Sequence, residues 1–300
     1  MDLYFRKPIK QDFLTYLEAE RGYSPTTIAT YKKALVSVEI FFKSIDSQLS
    51  WQTIDADVMR QWLAAQMERG EGARTMGKEL SAVRSFYKYL RRMGVVDQNP
   101  MSLIQNPKAQ KILPSFLKEQ EVERLFDDVD YGSDFVGVRN QTMLLTFYHT
   151  GVRMAELIGL NVNDIQLTTC ELRVTGKRNK QRVVPFGLEL YEALVKYLHV
   201  RQQFYGSSEG PVFITQKRQR INRRQVGIIV KRYLSLVTTQ KKKSPHVLRH
   251  TFATAMLNNG ASLEAIRELL GHESISTTEV YTHTSFADLK KEYELAHPRA

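Results

Sequence analysis

The last sixty residues of this 300-residue chain hold His246-Val247-Leu248-Arg249-His250, then Gly271-His272, then Tyr281. Ser244-Pro245 reads as an N-cap followed by proline at the first helical position, which puts His246 in the first turn of a helix. His246, Arg249 and His250 then share a face, at i, i+3 and i+4. A helix N-terminus favours an anion. An arginine fork and an imidazole at that end suit a phosphodiester, and a nearby tyrosine offers a phenol that could attack one. The set points to chemistry on a nucleic-acid backbone.

Blander readings compete for each residue. His-x-x-x-His is also a zinc spacing, but that motif needs glutamate after the first histidine, and here Val247 follows. No metal is expected. A lone His246 would default to a structural role; its neighbours argue against that. His250 lacks such support and is read as structural. Ser276-Thr277-Thr278-Glu279 is a capping box that predicts a short helix after Ser276, with Tyr281 beyond its first turn. By itself a tyrosine there packs more often than it attacks. Gly271 reads as a helix stop, which leaves His272 on a turn.

These residues must be positioned by a sizeable fold, and 300 residues are enough for two domains. Hydrophobic residues make up 42% and charged residues 25%, as in ordinary globular proteins. The net charge of +11 suggests a polyanionic partner, with an acidic membrane surface as the weaker alternative. The excess is uneven: residues 1–107 hold 15 basic against 12 acidic side chains, and residues 108–300 hold 28 against 20. The single cysteine, Cys170, excludes an internal disulfide and a multi-cysteine zinc site. No apolar signal core or membrane-length apolar run is present, so a cytoplasmic protein is expected.

Residues 1–107 read as helical throughout. Phe13, Leu14 and Leu17 make a short apolar face. Ser24-Pro25 opens a helix through Phe42, Asp55 opens one that ends at Gly70, and a fourth runs from Ala73 to Gly94. Pro100, Pro107 and Pro114 mark a linker region, placed at 108–116. From 117 to 300 the spacing predicts helices at 118–128, 136–150, 153–160, 187–204, 222–237, 245–258 and 263–270. Glu171–Thr175 and Gln181–Val184 flank the basic turn Gly176–Lys180 as a β-hairpin, and Pro211–Ile214 is a candidate third strand. The fold class expected is mainly α with a small β-sheet.

With these elements in view, the residues resemble a known family. HVLRHTFAT (246–254), LLGHESIS (269–276) and Tyr281 in TTEVYTH resemble the box region of tyrosine site-specific recombinases. His149-Thr-Gly-Val-Arg153-Met-Ala-Glu156-Leu resembles its first arginine box, and Gly176-Lys177 through Pro185 its hairpin lysine box. The boxes occur in family order over residues 145–285. The helical N-terminal part resembles the core-binding domain and residues 117–300 a mixed α/β catalytic domain. Within the family the chain is most like the Xer type, partly through its ending, His297-Pro298-Arg299-Ala300.

The resemblance implies roles. Arg153 and Arg249 would hold the non-bridging phosphate oxygens bidentately. Tyr281 would be the nucleophile, His246 would handle its proton, and His272 would orient the phosphate. Lys177 would protonate the leaving 5′ oxygen, with Lys180 as a rival better suited to phosphate contact. The product would be a 3′-phosphotyrosyl bond, with no metal or other cofactor. Glu156 matches an acidic position of the first box and is read as structural.

Arg178, Lys180, Lys217, Arg218, Arg223, Arg224 and Lys242 are candidate DNA-phosphate contacts; such contacts position rather than specify. A final helix over Phe286–Ala296 could dock Leu289, Tyr293 and Leu295 on a neighbouring protomer or on its own chain. The partners implied are a double-stranded recombination site, a cyclic tetramer joining two sites, a paralogous recombinase and a DNA translocase of the FtsK type. The task implied is resolution of chromosome dimers at a dif-like site through a Holliday junction. A mobile-element integrase, a type IB topoisomerase-like relaxase and a non-catalytic DNA-binding protein remain as alternatives.

Overall fold

A computed structural model of the chain describes residues 9–109, 115–176, 179–271 and 286–300. The chain divides into two compact units, 1–112 and 113–300. The fold is mainly helical with one small antiparallel sheet, as the sequence predicts. Among the described residues no helix is long and apolar enough to cross a membrane.

The first unit is built on α1 (Ile9–Ala19), α2 (Pro25–Ile45), α3 (Ala56–Glu68) and α4 (Ala73–Arg92). Local chemistry sets their ends. The Ser24 hydroxyl accepts the Thr27 N–H, and the Asp55 carboxylate accepts those of Asp57 and Val58. Leu35, Val38 and Phe42 of α2 meet Leu80, Val83, Phe86 and Leu90 of α4 in one buried cluster. Trp51 wedges its ring edge-on between Phe42 and Phe86, with centroids at 5.3 and 4.9 Å. The front of the proline-marked stretch belongs to this unit. Pro100–Leu103 forms a short 3-10 turn, Met101 and Ile104 are buried, and Arg84 donates to the Ile104 carbonyl.

The second unit winds around α6 (Phe135–Thr150), whose residues are buried on nearly every side, as befits a central helix. The stretch before it makes one α turn, α5 (Glu119–Glu123), and then a π turn over Arg124–Asp128. After α6 come α7 (Met154–Gly159) and a sheet of β1 (Ile165–Gln166), β2 (Glu171–Thr175) and β3 (Gln181–Pro185). Strands β2 and β3 pair with Leu172 opposite Val184 and Val174 opposite Arg182. The helices that follow among the described residues are α8 (Leu188–Tyr205), α9 (Arg223–Val237), α10 (Pro245–Asn258), α11 (Leu263–Leu270) and α12 (Phe286–Ala296).

One local expectation needs correction. The third strand is Ile165–Gln166, not Pro211–Ile214. Pro211 has no N–H to give a ladder, and the segment only bridges Asn161 and Arg220 while Val212, Phe213 and Ile214 all sink into the core. Ser244 stands at the cap position of α10 in extended backbone, with Pro245 at the first helical position, but its hydroxyl makes no cap hydrogen bond.

The C-terminal helix packs on its own chain. Leu289, Tyr293 and Ala296 are buried, whereas Leu295 is 75% exposed and takes no part. His297 stacks between Tyr293 (5.0 Å) and the buried His149 (4.6 Å). Arg299 then forks onto both Glu189 and Asp127.

Candidate active site

Arg153 reaches the site from the tight loop after α6. That helix ends at Gly151 in left-handed backbone, φ 57°. A Cβ at Gly151 would lie 2.6 Å from the Phe252 ring and 2.7 Å from Leu270, so conformation and space both demand glycine. Two residues later Arg153 stands at the N-cap of α7, and its N–H is accepted by Glu156 at 2.8 Å. The Arg153 side chain donates from Nη1 to Glu156 Oε1 at 2.8 Å and from Nη2 to the Gly271 carbonyl at 2.9 Å.

Arg249 projects from α10 and is buried. Its Nη1 donates to the Gly151 carbonyl and its Nη2 to the Leu270 carbonyl at 2.8 Å. The last carbonyls of a helix lack intrahelical partners and carry the negative end of its dipole. The end of α11 thus receives both arginines on neighbouring residues. Each fork uses one N–H of each terminal nitrogen for these described partners, out of five donors that a guanidinium carries. Burial, with the charge of Arg153 beside it, pulls Arg249 down to about 10, still protonated at neutral pH.

Glu156 lies beneath this pair, with its side chain 2% exposed. Burial opposes its ionisation. Hydrogen bonds from Arg182 and from the Arg153 N–H, together with the guanidinium charges, outweigh burial and hold the carboxyl at about 2. Arg182 was not among the residues that the sequence marks. It binds Glu156 with both terminal nitrogens at 3.0 Å and gives Nε to the Leu269 carbonyl at 2.8 Å. One signal was available: Arg182 pairs with Val174 and shares the inward face of β3 with Val184, where a charged side chain needs a partner.

His246 sits in the first turn of α10, one helical turn before Arg249, and is exposed. Partial burial and then the positive charges of Lys242, Arg249 and Arg153 lower its pKa. His250 is exposed as well, and the same kind of surroundings lower it. A neutral imidazole can accept a proton, so the arrangement suits a base beside an anion site.

The other expected site residues divide in two. Lys177, Arg178, His272 and Tyr281 lie outside the described residues, as does the predicted cap at Ser276. Lys180 is exposed beside the hairpin turn, where its carbonyl accepts the Gly176 N–H at 2.7 Å. Arg223 and Arg224 open α9 and are exposed, as are Lys217, Arg218 and Lys242. Arg218 lies over the Phe204 ring, 5.6 Å from its centroid. The neighbouring Arg220 is different: it ties its loop to the carbonyls of Ile158 and Leu160.

The chain resembles known proteins over nearly its whole length. Residues 115–288 match the Phage integrase family, and residues 11–94 match the phage integrase N-terminal SAM-like domain. A tyrosine recombinase XerC of Pelobacter propionicus is 39% identical, over 96% of this chain and 94% of that one. The XerC of Bacillus subtilis is 36% identical, over 96% and 95%. Among solved structures, XerH recombinase bound to its difH substrate superposes with a TM-score of 0.70 at 25% identity, covering 94% of this chain and 83% of that one. A lambda integrase dimer on a core site shares the fold, with a TM-score of 0.69 at 16% identity over 92% of this chain and 98% of that one.

Proposed function

Because the chain belongs to the phage integrase family of tyrosine recombinases and is a DNA recombinase, we propose that it exchanges strands at a specific duplex site through a covalent 3′-phosphotyrosyl intermediate on Tyr281. The observation that carries this reading is the seating of Arg153 and Arg249 on adjacent carbonyls of one turn, with His246 one helical turn away. The attacked phosphodiester is already anionic, and its transition state gathers more charge on the non-bridging oxygens. Two guanidinium groups held in place before the reaction stabilise that charge without reorganising.

His246 accepts the phenolic proton as the tyrosine oxygen bonds to phosphorus. The bond to the 5′ oxygen breaks, and Lys177 supplies the proton that makes it a hydroxyl. His272 orients the phosphate. The phosphotyrosyl ester conserves the energy of the broken bond, so a 5′ hydroxyl from a partner strand can reseal the DNA without ATP.

The XerC relatives, matched over almost the full length of both chains, support the Xer reading. The site is then dif-like and the task is resolution of chromosome dimers. Four protomers, two of them from a paralogous recombinase, pass through a Holliday junction under the control of an FtsK-type translocase. Residues 1–107 and the basic residues Arg178, Lys180, Lys217, Arg218, Arg223, Arg224 and Lys242 grip the duplex.

A nicked suicide substrate carrying a dif-like site tests the chemistry. The expected result is a protein–DNA adduct that survives denaturant and forms in excess EDTA. Tyr281→Phe binds the same DNA and forms none. An adduct on Tyr281→Phe would remove Tyr281 as the nucleophile.

A further inference from the structure

Three consecutive carbonyls at the end of α11 receive three different arginines. Leu269 takes Arg182, Leu270 takes Arg249 and Gly271 takes Arg153. Two of these are the phosphate-binding pair of the proposed reaction; the third has no role in it. Arg182 comes from the hairpin strand β3, far from the other two in sequence, and its side chain is 16% exposed. It lies against Gly271, where a Cβ would come within 3.0 Å of Arg182 Nη1. Both terminal nitrogens of Arg182 face the Glu156 carboxylate, the same group that holds Arg153.

Charge explains why such a residue is needed. Glu156 orients Arg153, but a buried carboxylate paired with Arg153 alone would cancel the charge that the phosphate requires. Three guanidinium groups against one carboxylate leave two positive charges, as many as the phosphate-binding arginines carry between them. Without Arg182 one would remain. We infer that Arg182 is a positioning residue of this site: it neutralises Glu156, so that the carboxylate can orient Arg153 without weakening the arginine pair's stabilisation of the charge that gathers on the phosphate in the transition state. The inference rests on the proposed recombinase chemistry.

The test is single-turnover adduct formation on the nicked suicide substrate at saturating DNA, with Arg182→Gln, Glu156→Gln and the double variant. Circular dichroism and thermal melting report folding. Arg182→Gln is expected to keep its DNA affinity and lose about 10²-fold in cleavage rate, the scale of a misplaced catalytic group. The double variant removes both charges together and leaves no unpaired buried carboxylate, so it is expected to fold and to cleave within about tenfold of the wild-type rate. A merely structural role would instead show as lost folding of Arg182→Gln, with a wild-type cleavage rate in the protein that remains folded.

A folded Arg182→Gln that cleaves at the wild-type rate overturns the inference. So does a double variant no faster than Arg182→Gln. If Arg182→Gln does not fold, the double variant decides alone, and a loss beyond about tenfold overturns the inference. Failure of the wild-type protein to form any adduct sinks the recombinase reading instead, which keeps the two failures apart.

Discussion

Arg153 and Arg249 lie 96 positions apart in the chain and end on adjacent carbonyls of one turn, Gly271 and Leu270. Neither guanidinium is free to swing, because each is held by two acceptors fixed in the backbone or by a buried carboxylate. Preorganisation of this kind lets positive charge act on a transition state at full strength.

Fork geometry is therefore expected to matter more than charge. Lysine at Arg153 or Arg249 keeps the charge but lacks the planar fork that holds its protein acceptors and a phosphate in one fixed geometry. Either Arg→Lys variant should lose about 10²–10³-fold in single-turnover cleavage, with little change in DNA affinity at fixed salt. A wild-type rate for Arg249→Lys would contradict bidentate clamping.

The proposed role of His246 predicts the pH dependence of cleavage. Partial burial and then the charges of Lys242, Arg249 and Arg153 lower its pKa, so the neutral form persists below the ordinary value of 6.5. As a base, it should sustain the rate through pH 6.5 and lose it only on further acidification. Lys242→Ala removes one of the lowering charges and should move the acid limb toward higher pH at saturating DNA. An unmoved limb would mean that His246 does not set it.

Gly151 has two reasons to stay glycine. Gly151→Ala must hold a left-handed residue and push a methyl into Phe252 and Leu270. Left-handed strain and overpacking together should cost about 2–4 kcal/mol in denaturant unfolding. Its carbonyl also holds Arg249, so cleavage should fall in variant protein that remains folded.

The tail should stabilise the second unit. Arg299 bridges Glu189 and Asp127, and truncation leaves the half-buried Glu189 with a weaker set of partners. Arg299→Ala is expected to cost about 1.5–3 kcal/mol, the range for hydrogen bonds to charged groups. An unchanged melting temperature would show that the tail only rests on the surface.

Acid should unfold this unit through its buried histidines and paired carboxylates. Burial lowers the pKa of both His149 and His297, so the unfolded chain binds protons there first as pH falls below 6.5. Glu156 and Glu189 are held at about 2, against an ordinary 4.5, so their stabilisation is present above 4.5 and lost as pH falls toward 2. Unfolding free energy measured against pH should decline in two stages, first below 6.5 and then below 4.5. A flat profile between pH 7 and 5 would mean that the buried histidines do not contribute.

Much of this was legible in the chain. Ser24-Pro25, Asp55, Gly70, Gly94 and Gly271 mark helix ends because capping and left-handed glycine are chemistry among residues a few positions apart. The hairpin and the arginine of each box were readable for the same reason. Pro211–Ile214 misled because an apolar run looks alike in a ladder strand and in a buried bend, and only the missing proline N–H told against a ladder. Arg182 lies inside the hairpin box but does not stand out there, since basic residues in a hairpin usually face solvent.

The amino-acid sequence by itself determined the helices, the hairpin, the basic balance and the residue types able to bind and attack a phosphodiester. Tertiary structure decided which acceptors those residues meet. It brought three arginines, from the N-cap of α7, from β3 and from α10, to successive carbonyls at the end of α11, placed Glu156 between two of them, and seated α12 against its own chain. The physical reason is range. Caps and periodicity act within one or two turns, whereas a helix's last carbonyls accept whatever donor the packing delivers, however distant in sequence.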